Sequence, residues 1–129
     1  MNINTVPWTD IVAETKDYVV YRDGFPVTKG HMLFVPKEET WQKLSKCYSA
    51  AYAWGWNWVE KGYCDAYNIG QNVGEEAGQT VMYPHVHLIP RRKGDMKDPR
   101  GGVRHVIPNK GNYKIKTERK TDEHECPTC

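Results

Sequence analysis

The sequence has no long apolar run and no marked surplus of charge of either sign. None of its hydrophobic stretches approaches the roughly 20 residues that a helix needs to cross a bilayer, so no membrane partner is expected. Residues 1–12 contain no basic segment followed by an apolar one, so we expect no signal peptide and a cytoplasmic location. The 18 basic and 16 acidic side chains give a net charge of +2, which is too small to indicate a nucleic-acid partner.

Cysteine is also scarce, with four residues in 129, and a cytoplasmic protein is not expected to pair them as disulfides. Cys47 and Cys64 lie in apolar surroundings that are typical of a core. His124, Cys126 and Cys129 have the spacing of metal ligands, but they supply three ligands at most, and a closed zinc site needs a fourth. We therefore interpret this end of the chain as a tail with two free thiols and predict no metal site.

The composition is that of a globular protein, with 39% hydrophobic and 26% charged residues and no internal repeat. The length fits one domain, which we place at residues 1–113, and residues 114–129 form a polar, highly charged tail. Apolar runs, glycines and prolines predict five strands and one long helix. The strands are Tyr18–Tyr21, His31–Val35, Asp65–Ile69, Gln79–Pro90 and Val103–Pro108, and the helix is Trp41–Lys61.

The predicted helix has a wider apolar face than one small core requires. Its stripe contains Trp41, Leu44, Tyr48 and Tyr52 at helical spacing, and further tryptophans flank it at positions 54 and 56. Apolar surface of this kind often marks an interface between proteins. We therefore expect a homodimer.

The segment 79–91, QTVMYPHVHLIPR, contains the most informative pattern. On a strand, alternate side chains share a face, so Tyr83, His85 and His87 are predicted to lie together beside the glycine-bearing loop Gly74–Gly78. Two imidazoles beside backbone N–H groups are suited to binding a phosphate and to attacking its phosphorus atom. The same spacing also fits a zinc site or two ordinary polar groups with satisfied hydrogen bonds. The residues alone leave these three interpretations open.

Longer stretches resemble the histidine-triad (HIT) family, which includes the Fhit-like dinucleoside polyphosphate hydrolases and the Hint-like nucleoside phosphoramidases. The similarity is carried by Asn68-Ile69-Gly70, by Ala77-Gly78-Gln79-Thr80-Val81 and by His85 to Arg91. Upstream it includes Tyr21-Arg22-Asp23 and the run from Pro26 through His31 to Pro36. The resemblance implies an α+β fold, an antiparallel sheet with one major helix, in which residues 1–113 form a HIT-like catalytic domain. It also implies pairing of two copies through the helix.

The resemblance also implies roles for individual residues. His85 matches the nucleophile that forms a nucleotidyl-histidine, while His87 and His31 match histidines of the same site. Asp23 matches the position that binds the ribose hydroxyls. The positions that hold the phosphate and the leaving group are matched by Asn68, Gln79 and Thr80. Of these, we predict that Gln79 is a catalytic residue.

The implied function is hydrolysis of dinucleoside polyphosphates or nucleoside phosphoramidates. No carboxylate lies in the motif, so no cofactor is required, although a substrate could arrive as its Mg²⁺ complex. Tyr83 replaces the first histidine of the family motif; it can hydrogen-bond to substrate but cannot take a second proton near neutral pH. The alternatives are nucleotidyl transfer to an acceptor other than water and nucleotide binding with little turnover.

Overall fold

The computed structural model describes residues 1–113, which form five strands, one long helix and three short 3₁₀ helices. The strands pair antiparallel throughout, in the order β1-β2-β3-β5-β4, which confirms the predicted α+β class. Their bounds are Ile11–Glu14 for β1, Tyr18–Arg22 for β2, Met32–Pro36 for β3, Ala66–Gly70 for β4 and Val86–Arg91 for β5. Helix α1 spans Trp41–Glu60 and connects β3 to β4.

Helix α1 begins and ends at the residues that its sequence favours. The Thr40 hydroxyl accepts a hydrogen bond from the Lys43 N–H at 3.2 Å, which caps the first turn. Gly62, with φ of +78°, follows the last turn in a conformation that glycine adopts without strain. Midway, Gly55 lets the helix approach β4 closely, because a Cβ there would lie 2.5 Å from the Tyr67 ring.

The two faces of the sheet are covered differently. On one face, α1 packs against the side chains that alternate along the central strands, among them Val20, Phe34, Val86 and Leu88. The opposite face carries Val19, Tyr21, Leu33, Val35 and Tyr83 and is partly covered by the N-terminal residues Ile3, Val6 and Trp8. Strand β3 is therefore buried on both sides, which explains its unbroken apolar sequence.

Three elements differ between the prediction and the structure. Strand β1 was not predicted, because it is a four-residue edge strand with little apolar alternation. The predicted strand Gln79–Pro90 begins only at Val86, since Pro84 and the side-chain bonds from Gln79 to the Val81 and Met82 carbonyls shape a loop before it. The predicted strand Val103–Pro108 is wrong: Gly102–Val106 is a 3₁₀ helix that starts after Gly101 at a φ of +100°.

Residues Met1–Asp95 form one compact unit, and a second unit begins at Met96. The predicted tail, with His124, Cys126 and Cys129, lies outside the described residues, so the boundary between 113 and 114 stays a prediction. Among residues 1–113, no helix combines the length and apolar character needed to cross a membrane.

Candidate active site

A tight loop between β2 and β3 brings Asp23 next to His31. The Asp23 N–H donates to the His31 carbonyl at 3.1 Å, and the Asp23 carboxylate accepts from the Phe25 N–H at 2.7 Å. The second carboxylate oxygen lies 3.4 Å from His31 Nε2. These bonds fix the orientation of both side chains before any ligand is considered.

His31 and His87 form a hydrogen-bonded pair of imidazoles. Antiparallel pairing of β3 with β5 sets Leu33 opposite His87 and so brings the His31 ring alongside, with His31 Nε2 2.9 Å from His87 Nδ1. The Val27 N–H donates to His31 Nδ1 at 3.2 Å, so in a neutral ring His31 carries its proton on Nε2 and donates it to His87. His87 Nδ1 therefore accepts, and its Nε2 carries a proton that is available as a donor.

His85 lies directly before β5, and its tautomer is assigned by one contact. Its Nδ1 lies 2.8 Å from the Tyr83 carbonyl oxygen, which can only accept, so the proton is on Nδ1. In the neutral ring, Nε2 then keeps its lone pair, which is the state that a nucleophilic imidazole requires. The rings of His85 and His87 lie 5.2 Å apart between centroids, so the free Nε2 belongs to a compact imidazole cluster.

Burial keeps His31 and His87 in their neutral form. Desolvation, reinforced by the neighbouring His31 and His85 rings, lowers the pKa of His87 from 6.5 to about 4, although Asp23 opposes the shift. Desolvation likewise lowers the pKa of His31, again against the attraction of Asp23. His87 therefore acts at neutral pH as an uncharged hydrogen-bond donor.

We expect the free energy of unfolding to fall as pH is lowered from 6.5 towards 4. In that window the unfolded chain protonates His87 and the folded chain does not, so stability rises with pH, by at most about 1.4 kcal/mol per pH unit for this group. Urea unfolding at pH 7 and pH 5 measures the slope. His87→Gln should make the slope shallower; an unchanged slope would contradict the assignment.

A cleft of about 500 Å³ opens beside the cluster. Strand, loop and N-terminal segments all contribute to it. The β2–β3 loop forms one side, and Gly78, Thr80 and Val81 form another. The lining residues that bear on the chemistry are Trp8, Asp23, Asn72, Thr80, His85 and His87. The cleft has room for a nucleotide-sized ligand and combines apolar walls with converging polar groups, as small-molecule sites do.

The HIT domain family model matches residues 5–94, which include every strand, the helix and the whole imidazole cluster. The chain belongs to the HIT family. It is 31% identical over 115 residues to the asymmetrical bis(5'-nucleosyl)-tetraphosphatase of Schizosaccharomyces pombe, an alignment that covers 80% of this chain and 63% of the relative. An adenylylsulfatase of Arabidopsis thaliana is 31% identical over 80 residues, covering 57% and 41% of the two chains.

Solved HIT structures share the fold. A zinc-bound histidine triad family protein from Mycobacterium smegmatis superposes with a TM-score of 0.62 at 28% identity, covering 68% of this chain and 69% of that one. The family thus includes named nucleotide hydrolases, and this chain spans less than two thirds of the length of the yeast and plant relatives.

Not all the HIT-motif residues reach the cleft. His85, His87, Asp23 and Thr80 line it, and His31 lies behind His87. Three others do not line it: Tyr83, Gln79 and Asn68. Their predicted roles in substrate binding or catalysis stay predictions.

Each of these three side chains has a different partner. Tyr83 is buried, and its hydroxyl donates to the Pro36 carbonyl at 2.7 Å. The Gln79 amide bonds to backbone groups of its own loop, accepting from the Gly74 N–H and donating to the carbonyls of residues 81 and 82. Asn68 accepts from the Arg91 guanidinium at 2.7 Å.

Of the cleft residues that bear on the chemistry, two were missed by the sequence prediction. Trp8 packs on His85 from the N-terminal segment, and Asn72 lies in the loop after β4. Asn72 lies shortly after Asn68, which the resemblance to the HIT family indicated. The motif therefore pointed to this part of the chain but not to Asn72 itself. Trp8 lies in a segment for which no strand or helix was predicted, and no pattern in the sequence indicates that it contacts the site.

Among residues 1–113, one group of side chains could hold a metal ion. Asp23, His31 and His87 offer ligand atoms that all lie within 4.8 Å of one another. A zinc ion would need to replace the His31–His87 hydrogen bond and to find a fourth ligand. The prediction that the protein works without a metal is not tested by this geometry.

Proposed function

We propose that this protein is a nucleotide hydrolase that cleaves dinucleoside polyphosphates or nucleoside phosphoramidates through a nucleotidyl-histidine at His85. The observation that carries the proposal is the contact of His85 Nδ1 with the Tyr83 carbonyl, which in the neutral ring places the proton on Nδ1 and leaves the Nε2 lone pair free, in a ring that lines the cleft. An imidazole held in that tautomer needs no separate base to attack a phosphorus atom.

The first step forms a bond between His85 Nε2 and the α-phosphorus and breaks the bond to the leaving group, which departs with the electron pair. Negative charge on the phosphate oxygens is met by donors already in place, namely the His87 Nε2–H and the Thr80 hydroxyl. In the second step water attacks the phosphorus and loses a proton to solvent, the P–N bond breaks and its electron pair returns to Nε2. A nucleoside monophosphate is released.

Asp23 supports a nucleoside rather than a plain phosphate as the substrate. Its carboxylate is oriented by the Phe25 N–H and lines the cleft, where it can accept hydrogen bonds from ribose hydroxyls. The yeast tetraphosphatase and the plant adenylylsulfatase are named for nucleotide substrates, which agrees with this class. We propose that no metal cofactor is required and that Mg²⁺ enters, if at all, with the substrate.

Two other functions use the same cleft. Transfer of the nucleotidyl group to an acceptor other than water needs only a different second step. Nucleotide binding with little turnover is favoured by one observation: the Tyr83 hydroxyl is engaged by Pro36 and supplies no proton to the cleft.

A burst assay with adenosine 5'-(p-nitrophenyl phosphate) separates these functions. A hydrolase releases a burst of nitrophenolate followed by steady turnover to AMP, and rapid-quench mass spectrometry finds the adenylyl adduct on His85. A transferase gives the burst but slow turnover that an added acceptor accelerates. A binding protein gives neither burst nor turnover, and that result would overturn the proposal.

We also propose that the protein is a homodimer, paired along the exposed side of α1 and β4. Tyr52 and Trp56 are both more than half exposed, with rings 6.1 Å apart, and Tyr52 packs edge-on against Tyr67 of β4. Strand β4 is at the edge of the sheet, so its outer backbone groups are open to a second strand. Trp54, in contrast, packs on Phe34 and belongs to the core.

Light scattering at micromolar concentration should give the mass of two chains. Trp56→Lys should shift the mass towards one chain, because it places a charge in the proposed apolar interface. Val73→Lys, at an exposed apolar residue in the loop after β4, serves as the control and should keep the dimer. A monomer mass for the unaltered protein would refute the proposal.

A further inference from the structure

An indole ring packs directly on the proposed nucleophile. The centroids of Trp8 and His85 lie 4.6 Å apart with 56° between the ring planes, the shortest ring-to-ring distance among the described residues. Trp8 also lies against the buried Tyr21, at 5.9 Å, and is itself partly buried. Trp8 has no role in the two reaction steps described above.

The position of Trp8 is fixed by the segment that precedes it. Ile3 and Val6 pack on the same face of the sheet as Trp8, and the Asn2–Thr5 capping box closes the short 3₁₀ helix between them. Asp10, two residues further on, is tied to Arg22 by a backbone bond of 2.9 Å and a side-chain ion pair of 3.1 Å. The segments before and after Trp8 are therefore both anchored to the sheet, so its contact with His85 is part of the folded structure.

Charge appears on the His85 ring during the proposed reaction. Nδ1 keeps its proton for the Tyr83 carbonyl while Nε2 forms the bond to phosphorus, so the adduct is an imidazolium with one positive charge. The charge disappears when water displaces the ring and the electron pair returns to Nε2. A tryptophan ring attracts a cation within about 6 Å of its centroid, and more strongly where water is excluded.

We propose that Trp8 is a catalytic residue that stabilises the positively charged nucleotidyl-imidazolium of His85. The inference rests on the proposed function, because it concerns the intermediate of that reaction. Trp8 stabilises the positive charge on the imidazole ring of the adduct, whereas His87 and Thr80 stabilise the negative charge on the phosphate oxygens. Loss of Trp8 should therefore slow formation of the adduct without slowing its hydrolysis.

The test compares Trp8→Leu, which keeps an apolar side chain without a π face, with Trp8→Phe, which keeps a weaker π face. Rapid quench under saturating adenosine 5'-(p-nitrophenyl phosphate) gives the rate of adduct formation, and dilution of preformed adduct gives its rate of hydrolysis. Trp8→Leu should slow formation about five- to thirty-fold, the worth of a partly desolvated cation–π contact, and should leave hydrolysis of the adduct equal or faster. Trp8→Phe should fall between Trp8→Leu and the unaltered protein.

Trp41→Leu is the matched control, since Trp41 is an exposed tryptophan in the first turn of α1 and lies outside the cleft. It should change neither rate. If Trp8→Leu slows both steps alike, Trp8 only supports the structure; if it raises KM and leaves both rates intact, it only binds the nucleobase. Either result overturns the inference and leaves the proposed function standing. Absence of any adduct in the unaltered protein overturns both.

Discussion

Replacing His85 by alanine should lower kcat by about 10⁴- to 10⁶-fold, the usual cost of losing a catalytic nucleophile, or about 5 to 8 kcal/mol of activation free energy. The loss should be this large because, within residues 1–113, no other side chain near the cleft offers an unprotonated nitrogen that is free to attack. His87 Nδ1 accepts from His31 Nε2, and His31 Nδ1 accepts from the Val27 N–H. Neither ring could replace His85 without breaking its hydrogen bonds.

The measurement is steady-state turnover together with mass spectrometry of the quenched protein. Affinity for AMP should survive His85→Ala within a few fold, since Asp23 and the apolar walls of the cleft are untouched. His105→Ala removes an exposed histidine of the second compact unit, which does not line the cleft, and should retain full turnover. Near-normal turnover in His85→Ala, or an adduct mapped to another residue, would exclude the proposed mechanism.

The residues that sequence reasoning placed correctly are those positioned by local periodicity. Alternation along β5 directs Val86 and Leu88 to the helix side and His87 to the other, as period-two patterning requires. The apolar surroundings of Cys47 and Cys64 likewise predicted that both side chains are buried. The family motif added His31 and Asp23, which no local pattern connects to β5.

The residues whose surroundings sequence reasoning did not predict are those whose partners lie elsewhere in the chain. Tyr83 looks like part of an alternating strand, but a carbonyl at the end of β3 accepts its hydroxyl and holds the ring in the core. Trp8 reaches His85 only because the N-terminal segment folds across the sheet. Contacts between distant segments depend on topology, and hydrophobic periodicity contains no information about them.

His31 and His87 should behave as one unit in a double-mutant cycle. His87→Ala should lower kcat by about 10²- to 10³-fold, because it removes a preorganised donor to the phosphate oxygens. His31→Ala should lower kcat by a smaller factor, since His31 is a positioning residue that fixes the His87 tautomer through the 2.9 Å bond. The double variant should be no slower than His87→Ala, because without His87 there is no tautomer for His31 to fix.

His31→Gln is the variant that separates this role from simple filling of the core. Its side-chain amide can donate to His87 Nδ1 in place of the imidazole, so it should recover most of the kcat that His31→Ala loses. KM for the nucleotide should stay nearly constant in both, which distinguishes the tautomer effect from a disturbance of the nearby Asp23, 3.4 Å from His31 Nε2. Multiplicative losses in the double variant, or a His31→Gln protein as slow as His31→Ala, would show that His31 acts independently of His87.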